Sequence, residues 1–72
     1  MQDIKIEYHI FEVRTKKGFS LRELSQRSGV SKSELHRIEL NTVHPTLYTL
    51  VMISTSLKVP LRKLIEIKVL DK

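Results

Sequence analysis

The sequence predicts an all-α fold, a compact bundle of four to five short helices. Three observations carry this. Apolar residues recur at spacings of three and four in successive short segments, which is the period of a helix buried on one side. Ser20 stands three residues before Glu23, and Ser31 three before Glu34, and each pair is the signature of a capped helix start. Gly18, Gly29, Pro45 and Pro60 punctuate the segments where helices stop or start. At 72 residues the chain is one domain, 1–72. A domain of this size buries only about 60% of the surface its unfolded chain exposes, so it holds one small core and no deep pocket. Cysteine is absent, which excludes disulfide staples and thiolate metal sites and fits a reducing compartment.

Each element follows from its own signals. Ile6, Ile10 and Val13 have helical spacing and predict a first helix over about 7–17, closed by Gly18. A second helix, over about 21–28, turns Leu21 and Leu24 inward behind the Ser20–Glu23 box and ends at Gly29, where φ > 0 is cheap. A third, over about 32–40, is capped by Ser31, answered by Glu34, and buries Leu35 and Ile38, with Asn41 as its stop. Thr46 caps a fourth, over about 47–57, whose apolar positions are Leu47, Leu50, Val51, Ile53 and Leu57. Pro60 opens a short fifth helix containing Leu61, Leu64 and Ile65.

The two ends carry a second pattern. Ile4-Lys5-Ile6-Glu7 and Ile65-Glu66-Ile67-Lys68-Val69 both alternate with period two. In one antiparallel register Ile4 faces Ile67 and Ile6 faces Ile65, with Asp3 against Lys68 and Lys5 against Glu66. The termini can therefore pair as a short β ribbon, within one chain or across a dimer. The alternative is that helix 1 begins near Ile4 and helix 5 runs on through Leu70.

Charge is concentrated in the middle. The chain carries a net +5, and residues 14–37 carry that same excess: Arg14, Lys16, Lys17, Arg22, Arg27, Lys32 and Arg37 against Glu23 and Glu34. Such a field attracts polyanions. With Leu35 and Ile38 turned inward, Lys32, Ser33, His36 and Arg37 share the opposite side of helix 3. Lysine and arginine donate to guanine or phosphate, and histidine and serine donate or accept.

Two short helices joined through Ser28-Gly29-Val30 have the form of a helix-turn-helix. The stretch GFSLRELSQRSGVSKSELHRIELNTVHPTLYTL, with its continuation to Ile65, resembles the lambda-repressor/Cro-type (Xre) helix-turn-helix family. The resemblance rests on the GxS start of helix 2, GVSxSxLxRIE through helix 3 and Pro-Thr-Leu-x-Thr-Leu at helix 4. It implies a lambda-repressor-like bundle with its helix-turn-helix at about 21–40 and a recognition helix in the major groove of double-stranded DNA. Leu24, Val30, Leu35 and Ile38 match the family's buried positions. Arg14 and Glu39 match a pair joining helix 1 to the end of helix 3. The implied DNA-binding residues are Arg22, Ser31, Lys32, Ser33, His36, Arg37, Asn41, Thr42 and His44. Departures are visible: Leu21 replaces a common glutamine, Thr42 and Val43 replace basic residues, and Phe11 and Leu40 stand where polar residues are usual.

Other chemistries fit poorly. His9, His36 and His44 lack compact metal-ligand spacing, so no metal or other cofactor is expected. Ser31, His36 and Glu39 are triad residue types on one helical strip, which cannot orient them, so no enzyme is expected. Tyr8 and Tyr48 read as partial core rather than base-stacking platforms, and Lys16 and Lys17 as solvated helix-end charges. No apolar run approaches the ~20 residues that span a membrane, and the N-terminus has no basic leader, so the expected place is the cytoplasm, at the nucleoid.

The reading is a small transcriptional regulator, a repressor acting as a homodimer on a pseudo-palindromic operator. The resemblance covers phage repressors, restriction–modification control proteins and antitoxins alike. The rival is a protein-interaction module, an antitoxin or control protein whose main partner is another protein. The dimer is expected through the apolar tail at about 60–72, at Leu61, Leu64, Ile65, Ile67 and Leu70.

Overall fold

A computed structural model describes residues 3–70, so the ends of the expected 1–72 domain and 60–72 tail lie outside the described residues. The order is β1 (Asp3–Tyr8), α1 (Ile10–Lys16), α2 (Leu21–Ser28), α3 (Lys32–Glu39), α4 (Leu47–Leu57), a 3-10 turn (Leu61–Lys63) and β2 (Ile65–Leu70). The fold is therefore four helices plus a two-stranded antiparallel ribbon made by the two ends of one chain.

The middle three helices form where their caps place them. Ser20 accepts from the Glu23 N–H while the Glu23 carboxylate accepts from the Ser20 N–H, both at 3.0 Å. Those hydrogen bonds also hold the Glu23 carboxyl below its usual pKa. Gly29 closes α2 at φ +79°. Ser31 accepts from the Glu34 N–H at 3.1 Å, but the expected reciprocal bond is replaced: the Glu34 carboxylate turns toward Arg37, 3.9 Å away. Thr46 caps α4 by accepting from the Thr49 N–H. Asn41 does end the third helix, at φ +58°.

The core is one cluster: Tyr8, Ile10, Leu24, Val30, Leu35, Ile38, Leu50, Ile53, Leu57 and Leu64. Every α-helix and both strands contribute to it or pack against it. The predicted burial at Leu47, Val51 and Tyr48 is not found: all three are exposed, Tyr48 at 74%. They lie on the first turns of α4, outside the stripe Leu50–Ile53–Leu57 that faces the core.

The ends differ most from expectation. The first helix starts at Ile10, not near residue 7, because Glu7 and Tyr8 belong to β1. Ile6 and Ile10 share helical spacing by coincidence across a strand–helix junction. The fifth helix is reduced to one 3-10 turn, and Ile65 onward is strand. Leu64 is fully buried in the core, so it faces no dimer partner. The observed register pairs Ile4 with Val69, Ile6 with Ile67 and Tyr8 with Ile65, two residues from the register expected. A slip of two preserves the faces, since side chains alternate with period two. It changes the charge pairing: Lys5 opposes Lys68 and Glu7 opposes Glu66. The like charges are relieved by neighbours, with Glu7 3.4 Å from Lys5 and 3.6 Å from Lys68. These lysines hold the Glu7 carboxyl below its usual pKa, the Lys5 hydrogen bond most of all.

Candidate nucleic-acid interface

Local chemistry sets α3 at a fixed angle to α2. The Val30 N–H donates to the buried Ser28 Oγ at 3.1 Å, and Val30 itself is core. The turn is thus anchored from both its backbone and its side chain. Leu35 and Ile38 are fully buried, and Lys32, Ser33, His36 and Arg37 are all exposed on the opposite strip of α3. Arg22, in the first turn of α2, and Ser31, at the cap of α3, are exposed as well.

The far end of α3 is clamped to α1. Arg14 Nε donates to Glu39 Oε2 at 2.8 Å and Arg14 Nη2 to Glu39 Oε1 at 3.1 Å, a bidentate pair. Arg14 Nη1 also donates to the Phe19 carbonyl at 2.9 Å. A guanidinium paired with a carboxylate and a carbonyl can stay charged out of water. Its role is positioning: it fixes the helix that presents Lys32 through Arg37.

The loop after α3 holds the remaining expected contacts, and each also has an internal task. Thr42 Oγ1 donates to the Arg37 carbonyl at 3.0 Å and closes the end of α3. Asn41 Oδ1 accepts from the Tyr8 N–H at 2.9 Å, and Tyr8 OH shares a hydrogen bond of 3.0 Å with His44 Nδ1. Asn41, Thr42 and His44 are exposed, so the Asn41 amide group and His44 Nε2 keep donors or acceptors for a ligand. The ribbon is hence tied to the loop that follows the candidate recognition helix. Tyr8, read from the sequence only as partial core, is the tie.

Among the other basic residues, Arg27 lies over the Phe19 ring at 4.7 Å, and Lys16 and Lys17 are exposed at the end of α1. Phe11 and Leu40 are exposed, and they flank a groove of about 480 Å³ between α1, the end of α3 and the base of the ribbon.

A second cluster was not legible in the sequence. His9 Nε2 donates to Glu66 at 2.9 Å and His9 Nδ1 to Glu12 at 3.3 Å. Two carboxylate acceptors favour a proton on each ring nitrogen, so the pKa of His9 is raised above the usual 6.5, chiefly by the Glu66 bond. Ligating atoms of Glu7, His9 and Glu66 lie within 4.8 Å of one another, spacing a cation can use. The Lys68 ammonium already lies 3.6 Å from Glu7 and 3.9 Å from Glu66 and supplies that positive charge itself. The spacing of His9 to Glu12 was visible in the sequence, but Glu66 is brought in only by the strand pairing.

These features match known proteins. The sequence model of the Helix-turn-helix family matches residues 10–64, which takes in every helix and the buried clamp. The chain belongs to the Cro/C1-type helix-turn-helix family. That family is one of DNA-binding transcriptional regulators. Within it, the chain is 45% identical over 49 residues to the HTH-type transcriptional regulator SutR of Escherichia coli strain K12. The match covers 68% of this chain and 28% of SutR, so the chain spans well under a third of that relative. The N-terminal DNA-binding domain of SinR from Bacillus subtilis is 38% identical, with a TM-score of 0.70 over 75% of this chain and 80% of that one. The restriction–modification controller protein C.AhdI from Aeromonas hydrophila is 27% identical, with a TM-score of 0.73 over 76% of this chain and 83% of that one. A Bacteroides fragilis protein is 29% identical with a TM-score of 0.79 and is covered over 100% of its length, against 86% of this chain. Among the described residues no helix is long and apolar enough to cross a membrane.

Proposed function

We propose that this helix-turn-helix chain binds double-stranded DNA sequence-specifically and represses transcription as a homodimer on a pseudo-palindromic operator. The observation that carries the reading is the exposed strip Lys32, Ser33, His36 and Arg37 on a helix whose other side is core. Arg37 and Lys32 are the candidates for guanine contacts, with His36 and Ser33 as weaker discriminators. Arg22, Ser31, Asn41, Thr42 and His44 are assigned to phosphate and backbone contacts, which set register rather than sequence. One recognition helix reads one half-site, and a two-fold pair reads two about one helical turn apart. Repression follows most simply, since occupancy alone blocks a promoter.

Selection of bound sequences from a random DNA pool at moderate salt tests this. The expected result is an enriched pseudo-palindrome. A folded protein that enriches nothing overturns sequence-specific binding.

The rival reading, a module whose main partner is a protein, is favoured by one observation: Phe11 and Leu40 are exposed on either side of the groove below the ribbon. DNA binding by this chain should fall steeply with salt, with a log–log slope of about −0.9 for each phosphate neutralised. Salt-resistant, stoichiometric binding to a protein, without measurable DNA affinity, is the signature of the rival.

A further inference from the structure

Tyr8 stands at the base of the ribbon, buried in the core, and turns two polar groups to the loop after α3. Its N–H donates to Asn41 Oδ1 at 2.9 Å. A backbone N–H bonds only an acceptor, so the Asn41 oxygen faces Tyr8 and the NH2 group faces away. Its hydroxyl lies 3.0 Å from His44 Nδ1. Among the described residues the His44 ring is the one hydrogen-bond partner of that hydroxyl, so the phenol proton goes to Nδ1. An imidazole that accepts at Nδ1 carries its own proton at Nε2, across the ring from Tyr8. Both loop residues are exposed, and each is left with an N–H donor turned outward.

The surroundings select what those donors meet. Asn41 and His44 both line a cleft of about 320 Å³ beside β1. Glu7 lines it too, but its carboxylate is matched by Lys5 at 3.4 Å and Lys68 at 3.6 Å, so the cleft stays open to an anion. Thr42, between the two donors, is fastened to the end of α3 through the Arg37 carbonyl. Outward N–H groups beside a candidate recognition helix suit a ligand that only accepts, as a phosphate diester does.

We infer, on the DNA-binding reading, that Tyr8 is a positioning residue for the DNA backbone: from the ribbon it presets the His44 Nε2–H, beside the outward Asn41 amide, as a donor to phosphate. Tyr8 touches no DNA itself, since it is only 5% exposed. Without its hydroxyl, Nδ1 is free to hold the proton, and Nε2 then becomes an acceptor that cannot bond a phosphate. A phosphate contact carries no base information, so its loss weakens every duplex alike. The ribbon thereby contributes to binding from outside the helix-turn-helix.

Tyr8→Phe removes the hydroxyl and keeps the buried ring. Its affinity for the selected operator and for a scrambled duplex should fall by the same factor, about two- to tenfold, the share of one hydrogen bond. His44→Ala should lose at least as much. Tyr8→Phe made in the His44→Ala background should cause no further loss, because the hydroxyl acts through that ring. Nitrogen-15 spectra of the free protein at about pH 8, above the ordinary histidine range, follow the proton directly. They should show His44 protonated at Nε2 alone in the wild type and at either nitrogen in Tyr8→Phe, a change that a purely structural hydroxyl would not cause. Thermal unfolding checks that each variant is folded at the temperature of measurement. A wild-type His44 protonated at Nδ1 overturns the inference, and so does unchanged affinity in Tyr8→Phe or in His44→Ala. An equal loss from Tyr8→Phe with and without His44 overturns it as well. A wild-type chain that binds neither duplex overturns the DNA-binding reading itself, and the role of Tyr8 falls with it.

Discussion

Arg14 and Glu39 form a bidentate ion pair at 2.8 and 3.1 Å, with side chains only 10% and 7% exposed, and it joins α1 to the end of the candidate recognition helix. Removing one partner leaves the other charge buried. Glu39→Ala should destabilise the domain by ~3–5 kcal/mol, a large share of the ~5–15 kcal/mol that holds a typical domain. The double change Arg14→Met with Glu39→Leu should cost less than either single loss. Urea unfolding of Arg14→Met, Glu39→Leu, their double variant and Glu39→Ala checks this, and additive costs of the two single changes would contradict the pairing.

The left-handed positions make a second prediction. Gly29 sits at φ +79°, and a Cβ placed there meets nothing within 4 Å. The penalty for Gly29→Val is therefore backbone strain without a clash, ~1–2 kcal/mol or somewhat more for a β-branched residue. Gly29→Asn should cost less. Lys58 closes α4 at φ +57° with a side chain, so Lys58→Gly should stabilise by up to about 1 kcal/mol. Asn41→Gly should not, although φ there is +58°, because the Tyr8 N–H loses its acceptor. Thermal unfolding of the four variants separates these outcomes.

The α3 strip predicts two kinds of loss. Arg37→Ala or Lys32→Ala should weaken binding to the selected operator by ~1–3 kcal/mol, and not to a scrambled duplex, wherever the residue reads a base. Where it contacts phosphate, both duplexes should weaken alike and the salt slope should become shallower by about 0.9. Operator affinity unchanged in both variants removes this strip as the contact surface.

His9 makes the ribbon junction pH-dependent. Its folded pKa is raised, so the stability contributed by its bonds to Glu66 and Glu12 is fully present below the unfolded value near 6.5. That stability is lost as pH rises through the folded pKa. Glu66→Gln should lower the His9 pKa in an NMR titration and flatten the pH dependence of unfolding above 6.5. An unchanged His9 titration in that variant refutes the Glu66 contact.

The helices α2, α3 and α4 were determined by the sequence alone, within a residue of their observed bounds. Their signals are local: a serine or threonine cap binds a backbone N–H three residues on, and a glycine takes up φ > 0 just past the helix. The exposed strip at Lys32, Ser33, His36 and Arg37 follows from the same period that buries Leu35 and Ile38. The Arg14–Glu39 pair was legible through the family resemblance rather than through spacing. Only the tertiary structure decided the ends. Period-two runs at Ile4–Glu7 and Ile65–Val69 announce strands, but neither names its partner or register, and Ile6 to Ile10 reads equally as a helical step. The choice falls where Ile65 pairs with Tyr8, the His9 N–H donates to the Leu64 carbonyl at 2.6 Å, and Leu64 enters the core. The same folding turned Asn41 and His44 from free loop residues into partners of Tyr8. Those contacts join residues more than thirty positions apart, and no local period encodes them.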